Sequence, residues 1–170
     1  TTAAPLFKKV SLELGGKSPF IVLADADVDA AAATGALMYR NAGQVCLAGT
    51  RFLVHEAVSD RFVAAMRVIV DSLRVGDPRA PDTEVGPIIH PRQVERVLGF
   101  VQRAVSGGAQ LLWGGGPHPF GAQYLQPTML TGLQQDDEIV QNEVFGPVLT
   151  LQTFASDDEA VALANGTDYG

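Results

Sequence analysis

The chain is poor in the residues that would mark several classes of protein. It has one cysteine, Cys46, so no internal disulfide framework can form, and a reducing, cytoplasmic setting is expected. Cations are scarce: 12 Lys and Arg stand against 19 Asp and Glu, for a net charge of −7 at pH 7. That balance disfavours nucleic acid and anionic membrane as partners. No run approaches the roughly 18 apolar residues of a membrane span, and no charged-then-apolar signal segment opens the sequence. The three histidines, His55, His90 and His118, are widely spaced, so no metal site is expected; capping or surface roles suit them better. Two phosphate-loop look-alikes fail on their context. Pro19 follows Lys17-Ser18 and prevents the helix start such a site needs, and the Gly-rich stretch Gly114–Gly121 has neither a Lys-Thr pair nor a helix after it. There is no Gly-x-Gly-x-x-Gly fingerprint, internal repeat or low-complexity tract.

What is present describes a folded domain. Hydrophobic residues make up 46% and charged residues 18% of 170, which excludes disorder and gives one domain with a sizeable core. Phe7 to Leu14 and Pro19 to Leu23 read as strands. Asp25, Asp27 and Asp29 supply caps and first-turn acids for an Ala-rich helix reaching about Arg40. Arg51 to His55 is strand-like. Ser59-Asp60 is the expected cap of a helix with Phe62, Val63, Met66, Ile69, Val70 and Leu73 on one face, ending at Gly76. After a Pro-rich loop and an extended Val85–Ile89, Arg92 to Ser106 reads as an amphipathic helix with Val94, Val97, Leu98, Val101 and Val105 inward. Gln110–Trp113, an edge-type strand at Tyr124–Leu130 broken by Pro127, a short helix in Gln135–Asn142, a strand at Val148–Phe154 and a helix at Asp157–Ala164 complete the order. Helices alternating with strands give an α/β class: a layered, largely parallel sheet flanked by helices.

Two stretches carry chemistry. In Tyr39-Arg40-Asn41-Ala42-Gly43-Gln44-Val45-Cys46-Leu47-Ala48-Gly49-Thr50, glycines bracket the thiol and a helix breaks just before it. A lone cysteine is more often a small buried hydrophobe. This setting, however, suits a nucleophile on an exposed turn with backbone N–H groups nearby. In Leu12-Glu13-Leu14-Gly15-Gly16-Lys17-Ser18-Pro19 a carboxylate sits in an apolar bracket before a Gly-Gly turn. Burial there would favour its neutral form and tune it as a general base, although a Glu before a turn is more often only solvated. Arg51 reads as structural, paired with an acid; Trp113 and Tyr124 read as packing residues, and Leu47 as a pocket-lining candidate.

Together with Glu143-Val144-Phe145-Gly146-Pro147, these motifs resemble the signatures of the NAD(P)-dependent aldehyde dehydrogenase superfamily, and the resemblance runs from Lys9 to Gly170. It implies the catalytic-domain fold, with residues 1–170 as the nucleophile-bearing domain, truncated at both ends and lacking the nucleotide-binding domain. It implies that Cys46 attacks an aldehyde to form a thiohemiacetal, then a thioester once hydride has left for NAD or NADP. Glu13 would activate the hydrolytic water, and the Cys46 N–H would help to hold the oxyanion. By the same resemblance, Glu143 binds the nicotinamide ribose, Phe145 packs beside the nicotinamide, and Gly16 leaves room for the ring. Partners would be a small aldehyde and further copies in a homo-oligomer, dimer or tetramer. Two other outcomes stand beside dehydrogenation for the isolated chain: residual thiol esterase activity from Cys46 and Glu13, or an inactive oligomerising domain.

Overall fold

The computed structural model describes residues 3–169. One sheet holds β1 (Pro19–Val22), β2 (Arg51–His55), β3 (Gln110–Trp113), β4 (Thr128–Thr131) and β5 (Val148–Phe154) in the order β1-β2-β5-β4-β3. Every neighbouring pair is parallel except β3–β4. Helices α1 (Val28–Ala36), α2 (Glu56–Ser72), α3 (Pro91–Ser106), α4 (Glu138–Gln141) and α5 (Asp157–Ala164) flank it, and a 3₁₀ segment, Leu37–Gly43, leads out of α1. The layered, largely parallel α/β class read from the alternation of elements is the fold observed.

The sheet's two faces are filled by the period-2 alternation of β2. Phe52 packs against Phe20 and, edge-on, against Phe62 of α2, with ring centroids 4.9 and 5.7 Å apart. Gly35 of α1 lies so close to the Phe52 ring and Met66 that a side chain there would crowd both. Leu53 points the other way, into a smaller cluster with Phe154 and Ala160 of α5. Each fully buried Phe or Leu contributes about 1.5–3 kcal/mol by transfer from water. β5, central in the sheet, is buried at every position except Thr153. Across the layers Tyr39 donates to the Thr128 carbonyl and accepts from Trp113 Nε1, both at 3.0 Å.

Several local expectations need correction. Phe7 to Leu14 is not a strand: it is exposed, it opens on a turn in which Phe7 takes φ +51°, and it has no ladder partner among the described residues. Helix α2 starts at Glu56, three residues before Ser59, because the His55 ring nitrogen accepts the Ala57 N–H and caps it. It ends at Ser72, and Val75 then pairs with Val85. In α3, Phe100 rather than Val105 faces the core. Pro127 precedes β4 instead of interrupting it, so β4 is an interior strand and β1 and β3 are the edges. The histidines do cap: His90 accepts from the Arg92 N–H at the start of α3, and His118 accepts from Phe120 in a turn.

Candidate functional site

The site lies at the ends of β1, β2 and β5, where three loops meet. Helix α1 is capped by Asp27, whose carboxylate accepts from the Asp29 and Ala30 N–H groups. Beyond Ala36 it tightens into the 3₁₀ turn, and Asn41, Ala42 and Gly43 all take left-handed φ, +52°, +53° and +68°. Ala has no local hydrogen bond to offset that conformation, which costs about 1–2 kcal/mol. Gln44 holds the strained turn: its amide donates to the Asn41 and Pro87 carbonyls and accepts the Ile89 N–H at 2.9 Å. Immediately after it, Val45–Ala48 closes a tight turn through Ala48 N–H to Val45 O, 3.1 Å. Cys46 sits at its tip, exposed. Among the described residues its own N–H donates to no protein group.

Gly16 lies directly against the Cys46 carbonyl, and a Cβ there would collide with it. A Cβ on its neighbour Gly15 would run into Glu143 Oε2 and make ordinary contact with the Tyr169 ring. The Gly-Gly turn is therefore wedged between the cysteine loop and the 143–147 loop; at Gly16 only glycine fits against the backbone, while a side chain at Gly15 would displace the Glu143 carboxylate. Gly43 meets the Gly146 carbonyl in the same way. Phe145 takes φ +58°, a second strained residue facing the first strained turn. A narrow crevice results, lined by Gly16, Gly43, Val45, Thr50, Glu143 and Phe145. The fold thus brings Gly16, Glu143, Phe145 and the flanks of Cys46 together. It does not bring Glu13 into that lining. Glu13 lies on the exposed segment, with Leu12 and Leu14 each 70% exposed, so the expected apolar burial of this carboxylate is absent.

Other residues position the site without a clear signal in the sequence. Gln93 donates to the Val144 and Phe145 carbonyls at 2.9 Å, and Arg96 donates to the Val144 and Glu143 carbonyls at 2.7 and 2.8 Å. One turn apart on α3, they grip the backbone of the 143–145 loop. Arg51, expected to pair with an acid, instead donates to three carbonyls: Lys17 at 2.9, Leu163 at 2.8 and Ala164 at 2.7 Å. It ties the C-terminal end of α5 to the Gly-Gly turn. Lys17 is 2% exposed, and burial, with Arg51 adding to it, lowers its pKa to about 7. Leu47 is exposed but borders an apolar pocket with Phe20, Leu37 and Met38.

Sheet and site define a class: a parallel α/β domain that presents one thiol on a tight turn, beside a glycine wedge and a carboxylate-bearing loop. The comparisons with known proteins agree. The family model described as "Aldehyde dehydrogenase family" matches residues 1–170, and the chain belongs to that family. A Staphylococcus aureus sequence assigned to the aldehyde dehydrogenases is 44% identical over 172 residues, 99% of this chain and 36% of that protein. The crystal structure of an NAD-dependent aldehyde dehydrogenase from Sinorhizobium meliloti superposes with a TM-score of 0.92 at 44% identity, covering 99% of this chain and 34% of that one. Betaine aldehyde dehydrogenase from Staphylococcus aureus, in complex with NAD+, gives 0.92 at 35% identity with the same two coverages, 99% and 34%. The chain spans about a third of the length of the relatives it matches.

Proposed function

We propose that the chain is the nucleophile-bearing part of an NAD(P)-dependent aldehyde dehydrogenase that oxidises a small aldehyde to the carboxylic acid. The observation that carries this is the convergence on one crevice of the exposed Cys46 turn, the Gly15–Gly16 wedge and the Glu143–Phe145 loop. The crevice is nearly closed, about 10 Å³ in volume, and it is the residues at its walls that suit a nicotinamide nucleotide. Glu143 Oε1 is buried with no hydrogen-bond partner among the described residues, an acceptor suited to a ribose hydroxyl, and Gly16, without a side chain, lets its turn close against the Cys46 carbonyl beside it. Glu143, Phe145 and Gly16 would hold the cofactor, which when bound supplies the hydride acceptor.

The chain's own residues perform the rest. Cys46 acts as its thiolate, because a free thiol with pKa about 8.5 is mostly protonated near neutrality and must lose its proton to attack the aldehyde carbon. The developing alkoxide of the thiohemiacetal lies within reach of the unengaged Cys46 N–H, whose partial positive charge stabilises it. Oxidation leaves a thioester on Cys46. Glu13 removes a proton from the water that hydrolyses it, releasing the acid and the thiolate. That role requires Glu13 to approach from the exposed segment on which it lies.

The test is the rate of Cys46 alkylation by iodoacetamide against pH, with Glu13→Gln as the paired variant, alongside p-nitrophenyl ester hydrolysis. An inflection below the free-thiol value that moves in Glu13→Gln, together with ester hydrolysis lost in Cys46→Ala, supports the pair. An ordinary thiol indifferent to Glu13, with hydrolysis unchanged in Cys46→Ala, sinks it.

A further inference from the structure

Two cations are buried in the chain, Lys17 and Arg51, and among the described residues neither forms an ion pair with an acid. They lie together at the start of β1 and β2, where Arg51 is the register partner of Pro19 and its Nε donates to the Lys17 carbonyl. Arg51 commits three of its five N–H donors to the carbonyls of Lys17, Leu163 and Ala164, so two remain. The Lys17 ammonium has no hydrogen-bond acceptor among the described residues. Both residues line one cavity of about 140 Å³, together with the hydroxyl-bearing Ser18, Thr167 and Tyr169, and no Asp or Glu is in that lining. The Tyr169 oxygen accepts from the Glu143 N–H at 3.4 Å, which leaves its own O–H to donate. Glu143 itself lines the separate crevice, which shares only Gly16 with this cavity.

We propose that this cavity is an anion-binding site, which takes a small oxyanion, a carboxylate or a phosphate, between the Lys17 ammonium and the Arg51 guanidinium. A buried cation without a counter-charge is costly, and two of them on one acid-free cavity set up a positive field that an anion relieves. The cavity is many times the ~10–15 Å³ that one water needs, so a polyatomic ion has room. The donors match an oxyanion as well: an ammonium, unused guanidinium N–H groups and hydroxyls, all able to form charge-assisted hydrogen bonds to its oxygens. The charged and titratable groups around Lys17 are Arg51 from β2, Arg96 from α3, Glu143 from the loop after α4, and Tyr169 from the tail. Burial and then Arg51, with Arg96 adding to them and Glu143 opposing, bring the Lys17 midpoint down to about 7. A bound oxyanion joins the side that holds the proton on, so the midpoint rises when the site fills.

The site stands independently of the reading of Cys46. Its test is an NMR titration of the chain with inorganic phosphate and, separately, with acetate, at pH 6.5 and constant ionic strength. Lys8, Lys9 and Lys17 are the only lysines, and the first two are exposed, so the Lys17 signals stand apart. The expected result is a saturable shift of the Lys17 and Thr167 signals, with Lys8 and Lys9 unmoved and the Lys17 midpoint raised by the ion. Affinity falls on the order of tenfold in Lys17→Met, the effect of one partly screened charge, and is retained in Lys17→Arg. Thr167→Val, which removes a hydroxyl from the lining and no charge, weakens binding by less and carries the test if Lys17→Met does not fold. Saturation by acetate alone makes the ligand a carboxylate, the class of product that aldehyde oxidation releases; saturation by phosphate alone makes it a phosphate, and saturation by both a site that reads charge. A Lys17 midpoint indifferent to both ions, with unsaturating shifts shared by all three lysines, overturns the site and leaves water in the cavity. Binding that is unchanged in both Lys17→Met and Thr167→Val overturns it as well, by placing the ion elsewhere.

Discussion

Gly16 shows what a single missing Cβ does at this site. Its α-carbon lies against the Cys46 carbonyl, so Gly16→Ala must push the thiol-bearing turn away or shift the Gly-Gly wedge, at about 1–3 kcal/mol for overpacking. The expected outcome is a several-fold change in Cys46 alkylation rate at pH 7 with the far-UV dichroism unchanged. Gly86→Ala, where an added methyl would make only ordinary contact with Pro78, is the control that should leave the rate alone. Lys17 makes the second residue-scale prediction, through stability. Its pKa in the fold, about 7, lies below its ordinary 10.5, so between those values the unfolded chain binds the extra proton. Stability therefore rises with pH from about 7 toward 10, by up to ~1.4 kcal/mol per pH unit, and below pH 7 the full penalty of burying the charge is present. Urea titrations between pH 7.5 and 9.5 should show that slope in the wild type and lose it in Lys17→Met.

At the scale of elements, what the sequence disclosed followed from periodicity and from short motifs. The strands β2 and β5, the apolar stripe Phe62–Met66–Val70 of α2, and the Asp27 cap of α1 could all be read from the sequence. Spacing could not show that Phe7–Leu14 lacks a pairing partner, because a strand exists only through its neighbour. Nor could it show that His55 outranks Ser59 as a cap, since both are local acceptors and only the chain's direction out of β2 decides. The site was legible as motifs, because glycine at a close approach and a thiol in a turn leave local traces. The grip of Gln93 and Arg96 on the 143–145 backbone was not, because a polar residue on a helix flank looks the same whether it meets a loop or water. The same holds for the hydrogen-bonded link from Trp113 through Tyr39 to Thr128, which joins β3, the 3₁₀ turn and β4. Tyr39→Phe leaves the buried Trp113 N–H without its acceptor and should cost about 1–3 kcal/mol. It should appear as a lower urea midpoint at unchanged slope, and an unshifted midpoint would show that the link adds nothing to stability.

Over the whole molecule, apolar surface is distributed unevenly, and this bears on how the chain behaves in solution. Leu6, Phe7, Val10, Leu12 and Leu14 are 63 to 96% exposed along one continuous segment, which runs into the edge strand β1, where Ile21 is 42% exposed. An unpaired parallel edge beside exposed leucines invites association, because pairing removes free N–H and C=O groups and apolar area together. The net charge of −7 opposes that association at low salt and is screened above about 0.1 M. The chain should therefore self-associate more strongly as salt rises, with the Lys8–Leu14 segment and β1 at the contact. Sedimentation at two protein concentrations and two ionic strengths measures this. Leu12→Lys with Leu14→Lys, placed beside Glu13 on exposed backbone, should return the chain to monomer without lowering its urea midpoint. If the doubly substituted chain associates as the wild type does, the contact lies elsewhere on the molecule. If the wild type is monomeric at high salt, the exposed segment does not bind a second copy, and the homo-oligomer drawn from the family resemblance does not assemble through this face.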